Sequence, residues 1–217
     1  MRKPVFLLAM VLLSLPAQAA SISGRIRFIG RAPGVAAATI VYAEALDGGR
    51  TQTGQFKMTQ KNKSFVPHVL AIPVGSTIAF PNDDSIFHNV FSLSRPNPFD
   101  LGLYRAGTSK DRTFATPATY RVFCNIHPQM SAIILVLPTS YITEADAAGN
   151  YRFDMPPGRY RVIAWSERAE PASVELAVAA SAITAPDLSL DESKFVETPH
   201  KNKFGEDYPK SAYDPKK

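Results

Sequence analysis

The pattern of hydrophobic and polar positions predicts β-strands along most of the chain. Apolar and polar residues alternate over 22–29, and short runs rich in Val, Ile, Phe and Tyr recur up to residue 165. Alternation with a period of two is typical of half-buried strands. Clusters of Gly, Pro, Asn and Asp separate the runs and indicate turns. No long stretch has the period of a helix, so we predict an all-β protein.

The spacing of these runs predicts a sandwich in the middle of the chain. Strands of sandwich length are separated by short turn signals between residues 64 and 137. Residues 50–138 therefore suffice for a compact Greek-key β-sandwich. The predicted strands are 22–29, 38–42, 66–72, 76–80, 89–92, 112–115, 119–124, 132–137, 151–153 and 160–165.

A second sandwich is indicated by two segments that flank the first. The stretch DAAGNYRFDMPPGRYRVIAW after Pro138 resembles small prealbumin-like β-sandwiches of the carboxypeptidase-regulatory type, and SGRIRFIGRAPGVAAATIVYAEAL matches the first strands of that family. The resemblance implies that residues 21–49 and 139–190 form one sandwich, with the Greek-key sandwich inserted in it or joined to it. Three loosely joined pieces are the alternative, but they would leave an isolated hairpin, which is marginally stable.

The two ends of the chain differ from the rest. Arg2 and Lys3, an apolar run over 5–13 and small residues at 17–20 are typical of a secretory signal peptide. We expect cleavage near Ala19 or Ala20 and a periplasmic protein. A membrane anchor would need about 20 apolar residues, more than this run offers. Residues 191–217 are polar and charged, which predicts a tail that is disordered or draped over the surface.

The net charge excludes one class of partner. The formal charge is +5 at pH 7, and +3 once the two cations of the predicted signal are removed. The chain has no basic helix or stripe of the kind that binds phosphate groups. We therefore expect no nucleic-acid partner, and no membrane span.

Cys124 is the only cysteine in a chain predicted to be exported, where free thiols are usually paired or avoided. It could be a buried apolar thiol, half of an intermolecular disulfide or a metal thiolate. His127 and Met130 follow it in the predicted turn, at C-x2-H-x2-M spacing. Thiolate, imidazole and thioether are the donors of a trigonal copper site with a weak axial methionine. His88, at the start of another predicted strand, could supply the second imidazole.

Residues 61–138 resemble the cupredoxin family, and the C-x2-H-P-x-M motif with an upstream H-N-V is most like its amicyanin branch. The resemblance implies one type 1 copper per chain. His88, Cys124 and His127 would be its equatorial ligands and Met130 its axial ligand, with His127 nearest the surface. Together with the flanking sandwich, the motif resembles exported proteins described as methylamine-utilisation or plastocyanin-like.

The function implied by this resemblance is that of a blue copper electron carrier rather than an enzyme. Its partners would be redox proteins, such as a c-type cytochrome or an exported dehydrogenase. Three alternatives stay open: a thiol enzyme with Cys124 and His127 as nucleophile and base, a zinc site, and an envelope copper carrier without an electron-transfer role. We expect His68 to be a hydrogen-bonded core or edge histidine and His200 to be solvated.

Overall fold

The computed structural model describes residues 20–49, 51–179 and 181–208, in which eighteen strands and no helix occur. The all-β class predicted from the sequence is confirmed. The predicted signal peptide lies outside the described residues except for Ala20. The strands are β1 (Ala20–Ile29), β2 (Thr39–Ala45), β3 (Gln55–Lys57), β4 (Thr59–Lys61), β5 (Ser64–Val66), β6 (Val69–Pro73), β7 (Thr77–Pro81), β8 (His88–Ser92), β9 (Phe99–Tyr104), β10 (Ser109–Thr113), β11 (Ala118–Phe123), β12 (Ser131–Leu137), β13 (Tyr141–Glu144), β14 (Asn150–Met155), β15 (Gly158–Ser166), β16 (Ala169–Val178), β17 (Ile183–Thr184) and β18 (Leu188–Asp191).

The first sandwich comprises the strands between residues 55 and 137. Its larger sheet has the order β6-β12-β11-β8-β9, its smaller sheet the order β10-β7-β3, and β4 and β5 form a hairpin. Alternate residues of β11 and β12 point into the core between the sheets, because side chains alternate along a strand. Tyr120, Val122 and Cys124 are all buried in this core, as the alternation predicts.

The second sandwich takes strands from both sides of the first. One sheet has the order β14-β1-β17, with β18 also paired to β1, and the other has the order β13-β2-β15-β16. The first two strands of the chain thus pair with strands that follow residue 138. A separate apolar core fills the space between these sheets. The described residues contain no helix that is long and apolar enough to cross a bilayer.

An apolar contact joins the two sandwiches through the outer faces of their sheets. Strand β12 is buried along nearly its whole length. Its Ala132, Ile134 and Val136 face the first core, whereas the residues between them face the second sandwich. Burial on both faces explains why this segment is apolar without alternation. The buried residues of the contact are Ile40, Val69, Ile133, Leu135 and Leu137, with Trp165 packed against them.

His68 lies at the edge of this contact. Its Nδ1 is 3.1 Å from the Ser131 carbonyl oxygen and its Nε2 is 3.1 Å from Glu167 Oε2. The expectation of a hydrogen-bonded edge histidine is confirmed, although 48% of the side chain is exposed. The hydrogen bond to Glu167, opposed by burial and helped by the negative charge of Glu167, raises the pKa of His68. The same hydrogen bond lowers the pKa of Glu167.

These shifts predict that His68 stabilises the fold less as the pH rises. A histidine pKa raised in the folded state gives a contribution that is complete below the unfolded pKa of about 6.5 and is lost as the pH rises through the folded pKa. We expect less than about 1 kcal/mol, since the pair is partly exposed. Urea unfolding of the natural chain and of His68→Gln should show a larger difference in free energy at pH 6 than at pH 8.5. An equal difference at both values would contradict the assignment.

Candidate metal centre

Three side chains with metal-binding atoms converge at one end of the first sandwich. His88 is the first residue of β8, Cys124 directly follows β11, and His127 lies in the loop between β11 and β12. Their ligand atoms all lie within 4.8 Å of one another. His88 and Cys124 are completely buried, and His127 is 3% exposed. In the described ranges no other such group of three His, Cys, Asp or Glu side chains occurs.

The distances between the three donor atoms fit one metal ion. The Nδ1 atoms of His88 and His127 are 3.0 Å apart, and Cys124 Sγ lies 3.5 Å from the Nδ1 of His127 and 4.0 Å from that of His88. A triangle with these sides has a central point about 2.1 Å from all three corners. For comparison, zinc–nitrogen and zinc–sulfur bonds in proteins are about 2.0–2.1 and 2.3 Å long. An ion would therefore fit with small adjustments.

Met130 closes the loop that carries two of the donors. The Cys124 N–H donates to the Met130 carbonyl at 3.2 Å, and the Met130 N–H donates to the His127 carbonyl at 3.0 Å. The Met130 side chain is completely buried and belongs to the same apolar core as Cys124. These two backbone hydrogen bonds fold residues 124–130 into a tight loop. The predicted fourth ligand thus lies in the core at this end of the sandwich.

The electrostatics of the site suit a bound cation. Burial raises the pKa of the Cys124 thiol, although backbone N–H groups, including that of Asn89 at 3.5 Å from the sulfur, oppose the shift. Burial, helped by the charge of His88, lowers the pKa of His127 to about 4. His127 is therefore neutral at pH 7 and has a lone pair to offer. The thiolate needs a compensating positive charge, which a metal ion would supply.

A carboxylate orients the first histidine. Asp84 Oδ2 accepts a hydrogen bond from His88 Nε2 at 2.7 Å, so the Nδ1 atom of His88 is left to point its lone pair at the other donors. Asp84 also accepts hydrogen bonds from the N–H groups of Asn62 and Lys63. Burial raises the pKa of Asp84, but these donors together with His88 outweigh it and hold the pKa below its usual value. Asp84 was not predicted from the sequence, where its position four residues before His88 is only a weak signal.

We expect Asp84→Asn to weaken metal binding about 10- to 100-fold. An amide can turn its NH2 group toward His88 and favour the ring tautomer with the proton on Nδ1. Competition titration against a chelator of known affinity measures the loss. Asp83→Asn is the matched control, because the Asp83 side chain is exposed. Equal affinity of the two variants would contradict the role of Asp84.

The asparagines next to two of the predicted ligands join the loops of the site. Asn89 Oδ1 accepts a hydrogen bond from the Asn125 N–H at 3.3 Å, and Asn89 Nδ2 donates to Asp100 at 2.7 Å. The Asn89 N–H donates to the sulfur of Cys124. Asn89 thus connects the strand of His88 to the loop of Cys124. These hydrogen bonds can stiffen the two loops.

Exposed apolar residues lie next to His127 and His88 in the chain. Ile126 is 42% exposed and Phe87 is 54% exposed, and Pro128 is also exposed. His127 is the one predicted ligand with any exposed surface, as its expected place nearest the surface requires.

Part of the polar tail reaches the same loop. The ring of His200 stacks on Phe123 with a centroid distance of 4.1 Å, and His200 Nε2 donates to the Pro128 carbonyl at 2.7 Å. The expectation that His200 is simply solvated is therefore wrong. The Tyr208 hydroxyl donates a hydrogen bond to the Cys124 carbonyl oxygen at 2.8 Å. Sequence pattern could not show this, because the contacts join residues 72 to 84 positions apart.

Comparisons with known proteins give likenesses to solved structures only; no family model and no curated protein matches the chain. A purple cupredoxin from Nitrosopumilus maritimus is 24% identical over 37% of this chain and 98% of its own, with a TM-score of 0.35. Amicyanin from Paracoccus versutus is 20% identical over 38% of this chain and 81% of its own, with a TM-score of 0.36. A copper-containing nitrite reductase from Thermus scotoductus is 27% identical over 52% of this chain and 28% of its own, with a TM-score of 0.37.

The first sandwich has the two-sheet, all-β arrangement that the sequence pattern predicts. Each likeness covers only part of this chain, and none of them says which metal the chain binds. That assignment depends on the donor atoms themselves.

Proposed function

We propose that this chain is a blue copper protein that carries single electrons, with one copper ion held by His88, Cys124, His127 and Met130. The buried triangle of two imidazole nitrogens and one sulfur supports this most directly, since its corners surround a point at metal-bond distance. Copper bound there would supply the exchange of one electron between Cu(I) and Cu(II).

The donor set favours copper over zinc. A structural zinc site has four Cys or His ligands, but the group found in the described residues has three members. The carboxylate of Asp84 is held on the far nitrogen of His88. A buried methionine in the ligand loop suits the softer copper ion.

The surrounding residues keep the donors in place in both oxidation states. Asp84 fixes the ring of His88, and the Asn89 N–H and the backbone bonds of the loop hold Cys124. Donors that do not rearrange make electron exchange fast. Burial excludes water from the sulfur, while the slight exposure of His127 leaves one short route to the surface.

Electron transfer without catalysis fits the rest of the chain. The sequence has four histidines and one cysteine, and of the histidines His68 and His200 make other contacts. A second copper set or a doubly bridged binuclear centre would need more donors. Burial raises the pKa of Cys124, which opposes formation of the thiolate that a nucleophilic cysteine uses. We therefore propose that the protein is not a thiol enzyme.

The proposal extends to location, partners and domains. Residues 1–20 would direct export to the periplasm, and the exposed apolar residues beside His127 in the chain would contact another redox protein, such as a c-type cytochrome or an exported dehydrogenase. The second sandwich would be a prealbumin-like domain into which residues 50–138 are inserted. The pairing of β1 and β2 with strands after residue 138 supports that division.

Titration of the metal-free mature chain with Cu(II) tests the function. We expect an intense visible thiolate-to-copper band that saturates at one equivalent, an EPR spectrum with narrow copper hyperfine splitting and a reversible one-electron wave in voltammetry. A colourless chain with loosely bound copper would contradict electron transfer and favour the copper carrier. Zn(II) should compete only weakly.

A further inference from the structure

A short segment of the tail, residues 200–208, lies across the loop that contains Cys124, His127 and Met130; we call it the strap. Three hydrogen bonds connect the strap to the loop. His200 Nε2 donates to the Pro128 carbonyl at 2.7 Å, the Lys203 N–H donates to Asn125 Oδ1 at 2.9 Å, and the Tyr208 hydroxyl donates to the Cys124 carbonyl at 2.8 Å. The strap therefore contacts the predicted ligand Cys124 and two residues, Asn125 and Pro128, that lie between the predicted ligands in the chain.

The strap has internal order of its own. Asn202 Oδ1 accepts hydrogen bonds from the N–H groups of Phe204 and Glu206, at 2.9 and 3.0 Å. The Asn202 N–H donates to the Glu206 carbonyl at 2.9 Å, and Asn202 is only 8% exposed. A turn that is ordered before it contacts the loop loses little conformational entropy on docking.

The strap is anchored to the second sandwich by a buried carboxylate upstream. The Glu192 side chain is completely buried, 3.0 Å from Arg31 and 3.2 Å from the Ser166 hydroxyl. A few residues later, the guanidinium of Arg168 lies over the ring of Phe195 at 4.1 Å. The tail thus runs from a fixed point on the second sandwich to the ligand loop of the first.

An ion pair also links the strap to β9 and, through Asn89, to β8, the strand that begins with His88. Lys203 Nζ lies 2.7 Å from Asp100 Oδ2, and Asp100 Oδ1 accepts the hydrogen bond from Asn89 Nδ2. The Asn89 N–H in turn donates to the sulfur of Cys124. The strap therefore touches both parts of the chain that supply donors.

We propose that the strap holds the ligand loop in its metal-binding conformation, with Tyr208 as a positioning residue that acts through the Cys124 peptide and raises the reduction potential of the site. The proposal rests on the proposed copper function. A thiolate site has one more positive charge with Cu(II) than with Cu(I). The Tyr208 hydroxyl places a partial positive charge against the Cys124 carbonyl, which favours the less positively charged reduced state. Exclusion of water also favours the less charged state.

The test compares Tyr208→Phe with Tyr160→Phe in the mature full chain. Tyr160 is the matched control, because its hydroxyl donates to the Pro156 carbonyl at 3.0 Å within the second sandwich. The first readout needs no metal: the rate at which the single thiol, Cys124, reacts with a small thiol reagent. We expect Tyr208→Phe to raise this rate about 2- to 10-fold, the factor that one net hydrogen bond supplies, and Tyr160→Phe to leave it unchanged.

The second readout is the reduction potential of the copper-loaded chain, which should fall in Tyr208→Phe and not in Tyr160→Phe. A second variant pair repeats the test at another contact. His200→Gln retains an N–H group for the Pro128 carbonyl, and its Cys124 thiol should react as slowly as that of the natural chain. In His200→Leu the thiol should react faster.

The outcomes separate the two proposals. If the natural chain is blue but Tyr208→Phe matches Tyr160→Phe in both thiol reactivity and potential, the strap has no positioning role. If Tyr208→Phe speeds the thiol reaction while the natural chain forms no coloured copper complex, the strap positions the loop but the copper function is wrong. A lower potential together with a faster thiol reaction supports both.

Discussion

Cys124→Ser is expected to abolish the intense visible absorption of the copper-loaded chain completely. The absorption would arise from charge transfer between the cysteine sulfur and Cu(II), and a serine hydroxyl is a hard, weakly acidic donor that cannot replace a thiolate. Cys124 is the only cysteine in the sequence, so no other thiol can substitute. Visible absorption and EPR spectra of the loaded variant measure the effect.

Met130→Leu is the matched comparison for this prediction. Both positions are completely buried in the same core, so both variants perturb packing at the same end of the sandwich. The axial methionine is a weak ligand, and we expect Met130→Leu to keep the visible band while its reduction potential changes. Survival of the band in Cys124→Ser would place the copper elsewhere. Loss of the band in both variants would indicate that the site needs its packing rather than the thiolate alone.

Glu192→Gln is expected to lower the free energy of unfolding by about 3 kcal/mol, near the lower end of what breaking a buried ion pair costs. The Glu192 side chain is completely buried, and Arg31, its partner, is 14% exposed. Arg168 lies 3.3 Å from the same carboxylate. An amide cannot compensate these cations, which would be left with little access to water. Urea unfolding at pH 7 measures the loss.

Glu175→Gln is the control for Glu192→Gln. Glu175 forms an ion pair with Arg161 in which both side chains are about half exposed, and such pairs contribute little. We expect a change below about 0.5 kcal/mol. If both variants lost the same stability, the burial of Glu192 would not be the cause.

The pH dependence of the Glu192 contribution has a definite sign. Burial tends to raise the pKa of Glu192, but the hydrogen bond and charge of Arg31, with Ser166, outweigh it and lower the pKa. A carboxylate pKa lowered in the folded state gives stability that is present above the unfolded pKa of about 4.3 and is lost as the pH falls through the folded pKa. The difference between the natural chain and Glu192→Gln should therefore shrink in acid.

Strand positions followed well from the sequence where the local pattern was complete. The predicted strand over 119–124 matches β11 closely, and the predicted 132–137 matches β12. The single strand predicted over 66–72 was wrong: β5 ends at Val66 and β6 begins at Val69. Pro67 lies between them, and proline has no N–H for the ladder of hydrogen bonds. Strands β3 and β16 were not predicted, since their apolar residues are few or small. Strand β9 was also missed, although Phe99, Leu101 and Leu103 alternate along it.

Some residues of the candidate site could also be predicted from the local sequence, whereas others could not. Cys124, His127 and Met130 could be proposed together because they lie within seven residues, and a short loop keeps its side chains close. His88 was proposed from its place at a strand start, but its approach to Cys124 depends on β8 pairing with β11 in one sheet. Asp84 and the strap gave no comparable signal.

The sequence by itself determined the strand period, the turns and the local spacing of the donors, because these depend on side-chain alternation and on residues that are neighbours in the chain. Only the tertiary structure decided which sheet faces pack together, why β12 is apolar on both faces, and that Tyr208 reaches the carbonyl of Cys124. Those contacts join residues that are far apart in the chain. Their free energy comes from burial and from hydrogen bonds that form only when whole sheets have packed.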